Sequence, residues 1–328
     1  MKKPKILLVH KGSSTFIRKD LDILRSEFDV KELLYVGKIA KWRVLFGAIR
    51  SDAVFCWFCG KFSFLPALFG RFFGKKVFVI TGGYDVIDMP DINYGLSANP
   101  GERKYVKWTL LLANKVFAVS ESIRADIIKN FNIKPGKVPV VYEGFPIHND
   151  INNIKDDKLA ITVGYVNNSN LKRKGLEAFI ASARYLPDVK FVLIGKWVDE
   201  AVDYLKKIAS ANVEFAGFIS NERLVEYYKN AKVYVQVSGH EGFCDAMAEA
   251  MTYECVPVVS ERGALPEIVS DAGFYAKFGD PKSTADAIRD ALKSSKGPVA
   301  RQRIVKLYSF ERRKRDLLNI TKQSMGLK

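Results

Sequence analysis

The sequence predicts an α/β protein of two domains, each built on a parallel sheet. Short apolar, β-branched runs recur along the chain, each followed by a small-residue loop and then a segment of helical spacing. At 328 residues the chain exceeds one ordinary core. The polar stretch His148–Lys158, with two Asn-rich steps, interrupts the alternation and reads as a linker. The expected division is a first domain over 1–147, a linker over 148–158, a second domain over 159–305 and a terminal helix over 306–328.

Lys5–Val9 is the first buried strand, and Phe16, Leu21, Leu24 and Phe28 then repeat at helical spacing. This Rossmann-like opening puts Gly12 and Ser13 at the carboxyl edge of the sheet, where ligands bind. Gly12-Ser-Ser is not a dinucleotide fingerprint. Val30–Val36, Ala53–Phe58 and Lys76–Ile80 are the next strands. Thr81-Gly-Gly-Tyr-Asp85 follows, and Asp85 either faces a ligand or closes an Asx-turn. Met89–Gly101 reads as an exposed loop, Arg103–Ala113 as a helix, and Lys115–Val119 as a strand whose following Ser120 caps the next helix. Val138–Val141 is expected as the last strand of this domain.

In the second domain, the strand Leu159–Val163 leads to a loop with Asn167–Asn170 and the basic run Lys172-Arg173-Lys174-Gly175, then a helix over Leu176–Tyr185. Cations just before a helix N-terminus suit a diphosphate; a solvated basic loop is the bland alternative. A strand over Val189–Ile194, a helix over Glu200–Ala209 and a strand and turn over Val213–Ile219 follow, with Ser220 as a helix cap. The most informative stretch comes next. Val233–Val237 alternates as a strand, Gly239–Phe243 turns, Ala246–Met251 is helix-forming, and Val256–Val259 is again a buried strand. Glu241 sits in the turn and Glu249 about two helical turns on. A lone Glu there would be a terminal charge, but two around one helix start point to a binding site.

Composition narrows the function. Residues 1–150 hold 24 basic and 14 acidic side chains, +10 of the total +16. Residues 31–76 carry nine basic and two acidic residues among Trp42, Phe46, Trp57, Phe62, Phe64, Phe69, Phe72 and Phe73. Such a basic, aromatic face fits an anionic membrane surface or is merely solubilising; no nucleic-acid module is present in the pattern. Ala53–Phe73 reads as a strand and an amphipathic helix, not a membrane span. Met1-Lys-Lys-Pro-Lys ahead of a short apolar run does not read as a signal peptide, so a cytoplasmic location is expected. Cys56, Cys59, Cys244 and Cys255 read as buried free thiols, and neither they nor the three His make a metal set.

The spacing Glu241, seven residues, Glu249, with Gly242-Phe243 after the first Glu, resembles the donor-binding element of family 4 retaining glycosyltransferases of the GT-B fold. Lys174-Gly175, the run Asn114–Phe131 and Arg262–Glu267 (Gly-x-Leu-Pro-Glu) match further elements, so the resemblance covers nearly the whole chain. It implies two Rossmann-like domains facing a cleft, with the last helix crossing back to the first. It also implies sugar transfer from a nucleotide sugar, the co-substrate, to a glycan or lipid-linked acceptor, with no cofactor or metal. Glu241, Lys174 and Arg173 would act on the reacting centre. Gly242, Phe243, Cys244, Glu249, Gly217, Phe218, Ile219 and Tyr165 would bind the donor, and Gly12, Ser13 and Asp85 would face the acceptor. Two departures stand out: Cys244 replaces the usual Gly, and Tyr165 the Arg that grips a phosphate, for which Arg173 or Lys172 would substitute. A non-catalytic nucleotide-sugar-binding subunit and a nucleotide-sugar epimerase are the other readings.

Overall fold

The computed structural model describes residues 3–12, 14–37, 39–148, 151 and 154–327. The chain divides into two compact units, Met1–Gly144 with Glu311–Lys328, and Phe145–Phe310. Within the stretch expected as a linker, residues 149, 150, 152 and 153 lie outside the described residues.

The first unit alternates β1 (Lys5–His10), α1 (Thr15–Glu27), β2 (Asp29–Leu34), α2 (Ala40–Ile49), β3 (Ala53–Trp57), α3 (Lys61–Phe72), β4 (Lys76–Thr81), α4 (Pro100–Leu112), β5 (Lys115–Ala118) and α5 (Glu121–Phe131). Its sheet is parallel throughout, in the order β2-β1-β3-β4-β5. β3 is buried at every position and β1 and β4 at all but the first, which is why they read as unbroken apolar runs. Ser120 caps α5 as expected, accepting the Ile123 N–H at 3.2 Å. Val138–Val141 does not extend the sheet as a regular strand. Val140 makes a single bridge to Ala118, because Pro139 has no N–H to donate and offers only its carbonyl.

The second unit contains β6 (Asp156–Val163), α6 (Asn168–Arg173), α7 (Leu176–Ser182), β7 (Lys190–Ile194), α8 (Ala201–Ile208), β8 (Val213–Gly217), α9 (Asn221–Asn230), β9 (Ala231–Gln236), α10 (Asp245–Thr252), β10 (Val256–Ser260), α11 (Leu265–Val269), β11 (Phe274–Ala276), α12 (Pro281–Lys293) and α13 (Gly297–Leu307). The sheet order is β11-β10-β9-β6-β7-β8, again all parallel. Connections run outward from β6 through β7 to β8, then return to β9 on the other side of β6. The order therefore reverses between β6 and β9, the place where an open α/β sheet leaves a crevice at its carboxyl edge. Part of the loop expected after β6 is helical instead: Asn167 accepts the Asn170 N–H at 2.9 Å and so starts α6.

α14 (Phe310–Met325) closes the chain, and all but its first residue belong to the first unit. Its anchor is Arg313. The guanidinium donates to both Asp20 carboxylate oxygens at 2.7 Å and to the carbonyls of Val141 and Tyr142 at 3.1 and 2.8 Å. The Trp57 indole N–H adds a bond of 2.8 Å to Asp20. Both charged groups are sealed from water, which is sustainable because each is paired and hydrogen-bonded.

Candidate functional site

Lys174 ends α6 after β6, and Glu241 lies in the turn after β9, so the reversal in strand order brings them together. Lys174 Nζ is 2.9 Å from Glu241 Oε1. The same oxygen accepts the Ser238 hydroxyl at 2.8 Å and the Gln236 amide at 3.3 Å. Gln236 also donates to Ser238 Oγ at 2.6 Å and accepts the Tyr234 hydroxyl at 3.2 Å. Tyr234, Gln236 and Ser238 alternate along one face of β9 and its extension, as the twofold period of a strand requires. The result is a buried polar chain ending on Glu241 Oε1. The contacts from Lys174, Ser238 and Gln236 all fall on Oε1.

Burial by itself would push the Glu241 carboxyl up. The charges of Lys174 and then Arg173, with the hydrogen bonds from Lys174 and Ser238, outweigh it and hold the group below its ordinary value. For Lys174, burial pulls down most strongly of any single effect, but the charge of Glu241, then Cys244, and the hydrogen bond to Glu241 together outweigh it and leave the ammonium above its ordinary value. The pair is thus ionised at neutral pH.

Two glycines let this arrangement form. Gly175 has a left-handed backbone (φ 68°), and a Cβ there would run into the Val237 carbonyl. Gly263 (φ 59°) lies against the turn itself, where a Cβ would sit 2.6 Å from the Glu241 carbonyl oxygen and 2.8 Å from its nitrogen. The Gly-x-Leu-Pro-Glu segment therefore braces Glu241, and the Ala264 N–H completes the contact by donating to the Glu241 carbonyl at 3.0 Å.

The remaining expected residues divide. Arg173 adjoins the pair; Asn170 Oδ1 accepts its Nε and Nη2 at 3.1 and 2.5 Å. Lys172 is exposed. Gly242 continues the turn, and Glu249 is half-buried on α10, three residues before its end at Thr252. Cys244 begins α10 with φ 91°, a conformation costing a non-glycine residue about 1–2 kcal/mol. Its thiol is buried and, through that burial and then the Glu241 charge, resists ionisation. The Phe243 side chain is buried between Phe145 and Tyr308, with ring centroids 5.7 and 5.3 Å away, so it packs the turn in place.

Tyr165 does not occupy the place of a phosphate-gripping Arg as a buried group: its side chain is 62% exposed, and its carbonyl accepts the Asn170 amide at 2.8 Å. Gly217, Phe218 and Ile219 lie at the end of β8, two strands from β6, with Phe218 79% exposed.

In the first unit, the Gly12 carbonyl is 2.6 Å from His10 Nδ1, and Ser13 lies outside the described residues. Asp85 is 1% exposed and accepts the Cys59 and Gly83 N–H groups at 2.8 and 3.0 Å. It braces the loop in Asx fashion, one of the two readings its sequence context offered. Burial raises its pKa to about 6 despite four backbone hydrogen bonds. Since the folded value lies above the unfolded one, near 3.9, the folded state holds the proton more tightly between them, and this group's contribution to stability falls as pH rises through that window. An Asp85 carboxyl-carbon NMR titration with a midpoint close to 6 is expected; a midpoint below 4 would show the charge to be tolerated.

Sequence reasoning did not single out Ser238, Gln236 or Tyr234. A Gln in the middle of a buried strand, flanked at two-residue steps by Tyr and Ser, was the available signal.

Residues 145–306 match the family Glycosyl transferases group 1, almost the whole of the second unit. An uncharacterized glycosyltransferase of Methanocaldococcus jannaschii is 28% identical over 247 residues, covering 65% of this chain and 61% of that protein. The N-acetylgalactosamine-N,N'-diacetylbacillosaminyl-diphospho-undecaprenol 4-alpha-N-acetylgalactosaminyltransferase of Campylobacter jejuni is 25% identical over 205 residues, covering 58% and 53%. The aligned stretch thus spans little more than half the length of these relatives. Among solved structures, Anabaena HepE in complex with UDP and glucose superposes with a TM-score of 0.75 at 15% identity, covering 98% of this chain and 100% of that one.

Proposed function

The chain has the GT-B fold and its second unit belongs to the Glycosyl transferases group 1 family, and on that premise we propose that it is a retaining hexosyltransferase. It moves a sugar from a nucleotide-sugar donor to a glycan or lipid-linked acceptor, without a metal. The observation that carries this reading is the Lys174–Glu241 pair at the β6/β9 reversal, with Arg173 beside it. The relatives' transferase names, a diphospho-undecaprenol acceptor in one of them and UDP with glucose in a neighbour of the same fold support it.

In this mechanism Lys174 and Arg173 face the donor diphosphate and stabilise the charge that builds on it as the sugar C1–O bond breaks. Glu241 Oε2 accepts from sugar hydroxyls, while Oε1 is fixed by Lys174, Ser238 and Gln236. Glu249 accepts from the ribose hydroxyls, Gly242 and Cys244 shape the turn around the distal phosphate, and the exposed Phe218 stacks on the base. The acceptor oxygen bonds to C1 on the face the diphosphate leaves, and its proton passes to the departing phosphate oxygen. The enzyme works in the cytoplasm, at the inner face of the membrane where a lipid-linked acceptor is held. An epimerase needs an acid/base carboxylate over the sugar; the transferase reading is preferred because Asp85, the candidate for that role, is buried and engaged by the Cys59 and Gly83 N–H groups.

A thermal-shift panel of UDP-, GDP-, ADP- and CMP-sugars tests the reading. One nucleotide class is expected to stabilise the protein by about 2.7 kcal/mol at 100 times its dissociation constant. A flat panel would overturn it.

A further inference from the structure

Helices α2, α3 and α4 lie side by side, α3 packed against both neighbours. An ordinary surface helix buries its large apolar residues. α2 and α3 instead turn mostly small residues inward, with Gly47 seated against Leu7 and Gly70 against Val77 and Val54, while α4 buries Val106 and Leu110. Outward, α2 presents Trp42, Phe46 and Ile49 at steps of four and three, the two aromatics each 55% exposed. Leu68 and Phe72 do the same on α3, Phe72 at 79%, and Trp108 and Leu111 on α4. Three adjacent helices thus each carry an exposed apolar stripe at helical spacing.

The charge on these helices has one sign. They hold seven basic residues and a single acidic one, Glu102. Glu102 is itself engaged, accepting the Lys61 backbone N–H at 3.0 Å. Lys41 and Lys104 reach over Trp42 and Tyr105, at 5.7 and 5.2 Å from the ring centroids.

We propose that the α2–α3–α4 face docks on an anionic lipid bilayer. Tryptophan and phenylalanine at the centre enter the headgroup boundary, and the surrounding Lys and Arg meet the negative surface. Continuous apolar stripes with Trp favour lipid over nucleic acid, whose binding uses cations along a groove with aromatics set to stack on bases. Among the described residues no helix is long and apolar enough to cross a membrane, so contact through this face is peripheral. The proposal does not rest on the site chemistry above.

The test is co-sedimentation of the full chain with vesicles of phosphatidylcholine alone and of phosphatidylcholine with one third phosphatidylglycerol. Wild type is expected to bind the anionic vesicles ~10-fold or more tightly than the neutral ones, and to release in high salt. The triple variant Trp42→Ser, Phe46→Ser, Phe72→Ser is expected to lose ~10-fold or more of that binding while its thermal midpoint stays put, since all three side chains are exposed. Equal binding to both vesicle types, undiminished binding by the triple variant, or displacement from vesicles by duplex DNA would each overturn the proposal.

Discussion

Replacing Lys174 with alanine is expected to lower sugar transfer by ~10²-fold or more, the usual cost of removing one preorganised charge or donor at a reacting centre. It is also expected to destabilise the second unit by about 3 kcal/mol, because Glu241 is then left buried without its counter-charge. The two effects are separable. Adding Glu241→Gln to Lys174→Ala removes the stranded charge while keeping acceptors for Ser238 and Gln236, so the thermal midpoint recovers while turnover does not. Full activity in the single variant, or activity that returns together with stability in the double, would defeat the assignment of Lys174 to the donor phosphates. The pH dependence follows in sign. Because Glu241 is held below its ordinary range, its pairing stabilises fully above about pH 4.3 and is lost only as pH falls further, through the folded value.

Arg313→Met is expected to be the most damaging single change to the first unit, costing about 3–5 kcal/mol. It strips Asp20 of two hydrogen bonds of 2.7 Å inside a region that excludes water. For a unit of this size that corresponds to a fall of roughly 10 °C in its midpoint. The Trp57 indole, bonded to Asp20, supplies a buried fluorophore whose emission should redden at that lower temperature. Adding Asp20→Leu to Arg313→Met removes the stranded Asp20 charge and should recover part of the loss, while the buried Glu143 carboxylate, 3.4 Å from Arg313 Nη2, still loses that counter-charge. An unchanged midpoint in the single variant would mean that α14 is held by apolar packing alone.

What the sequence revealed and what it hid follow from how far each contact reaches along the chain. Buried parallel strands are unbroken apolar runs, so β1, β3, β4 and β10 were readable locally. Lys174-Gly175 and Glu241 were readable because each sits in a short loop with its own motif. Their direct pairing was not, since it depends on β9 returning beside β6. Nor was the Asp20–Arg313 bond, which joins two elements whose local patterns each look like an ordinary surface helix. Val138–Val141 misled because its apolar residues say strand, while Pro139 removes the donor a second bridge would use. Asn167–Asn170 misled in the opposite way: residues typical of loops include the Asn that caps a short helix. The aromatic run after residue 31 was visible as composition. Which of its rings face outward emerged only once Gly47 and Gly70 were seen to seat the helices against the sheet.

Asp20 and Arg313 are 293 positions apart. On the ribosome, at ~5–20 residues per second, that separation is a wait of roughly 15–60 s during which the acid has no partner. The second unit is one continuous stretch of chain and has all its parts before α14 emerges. The first unit, although synthesised first, is completed last, and a nascent chain stalled or cut before Arg313 carries a finished second unit and an unfinished first one.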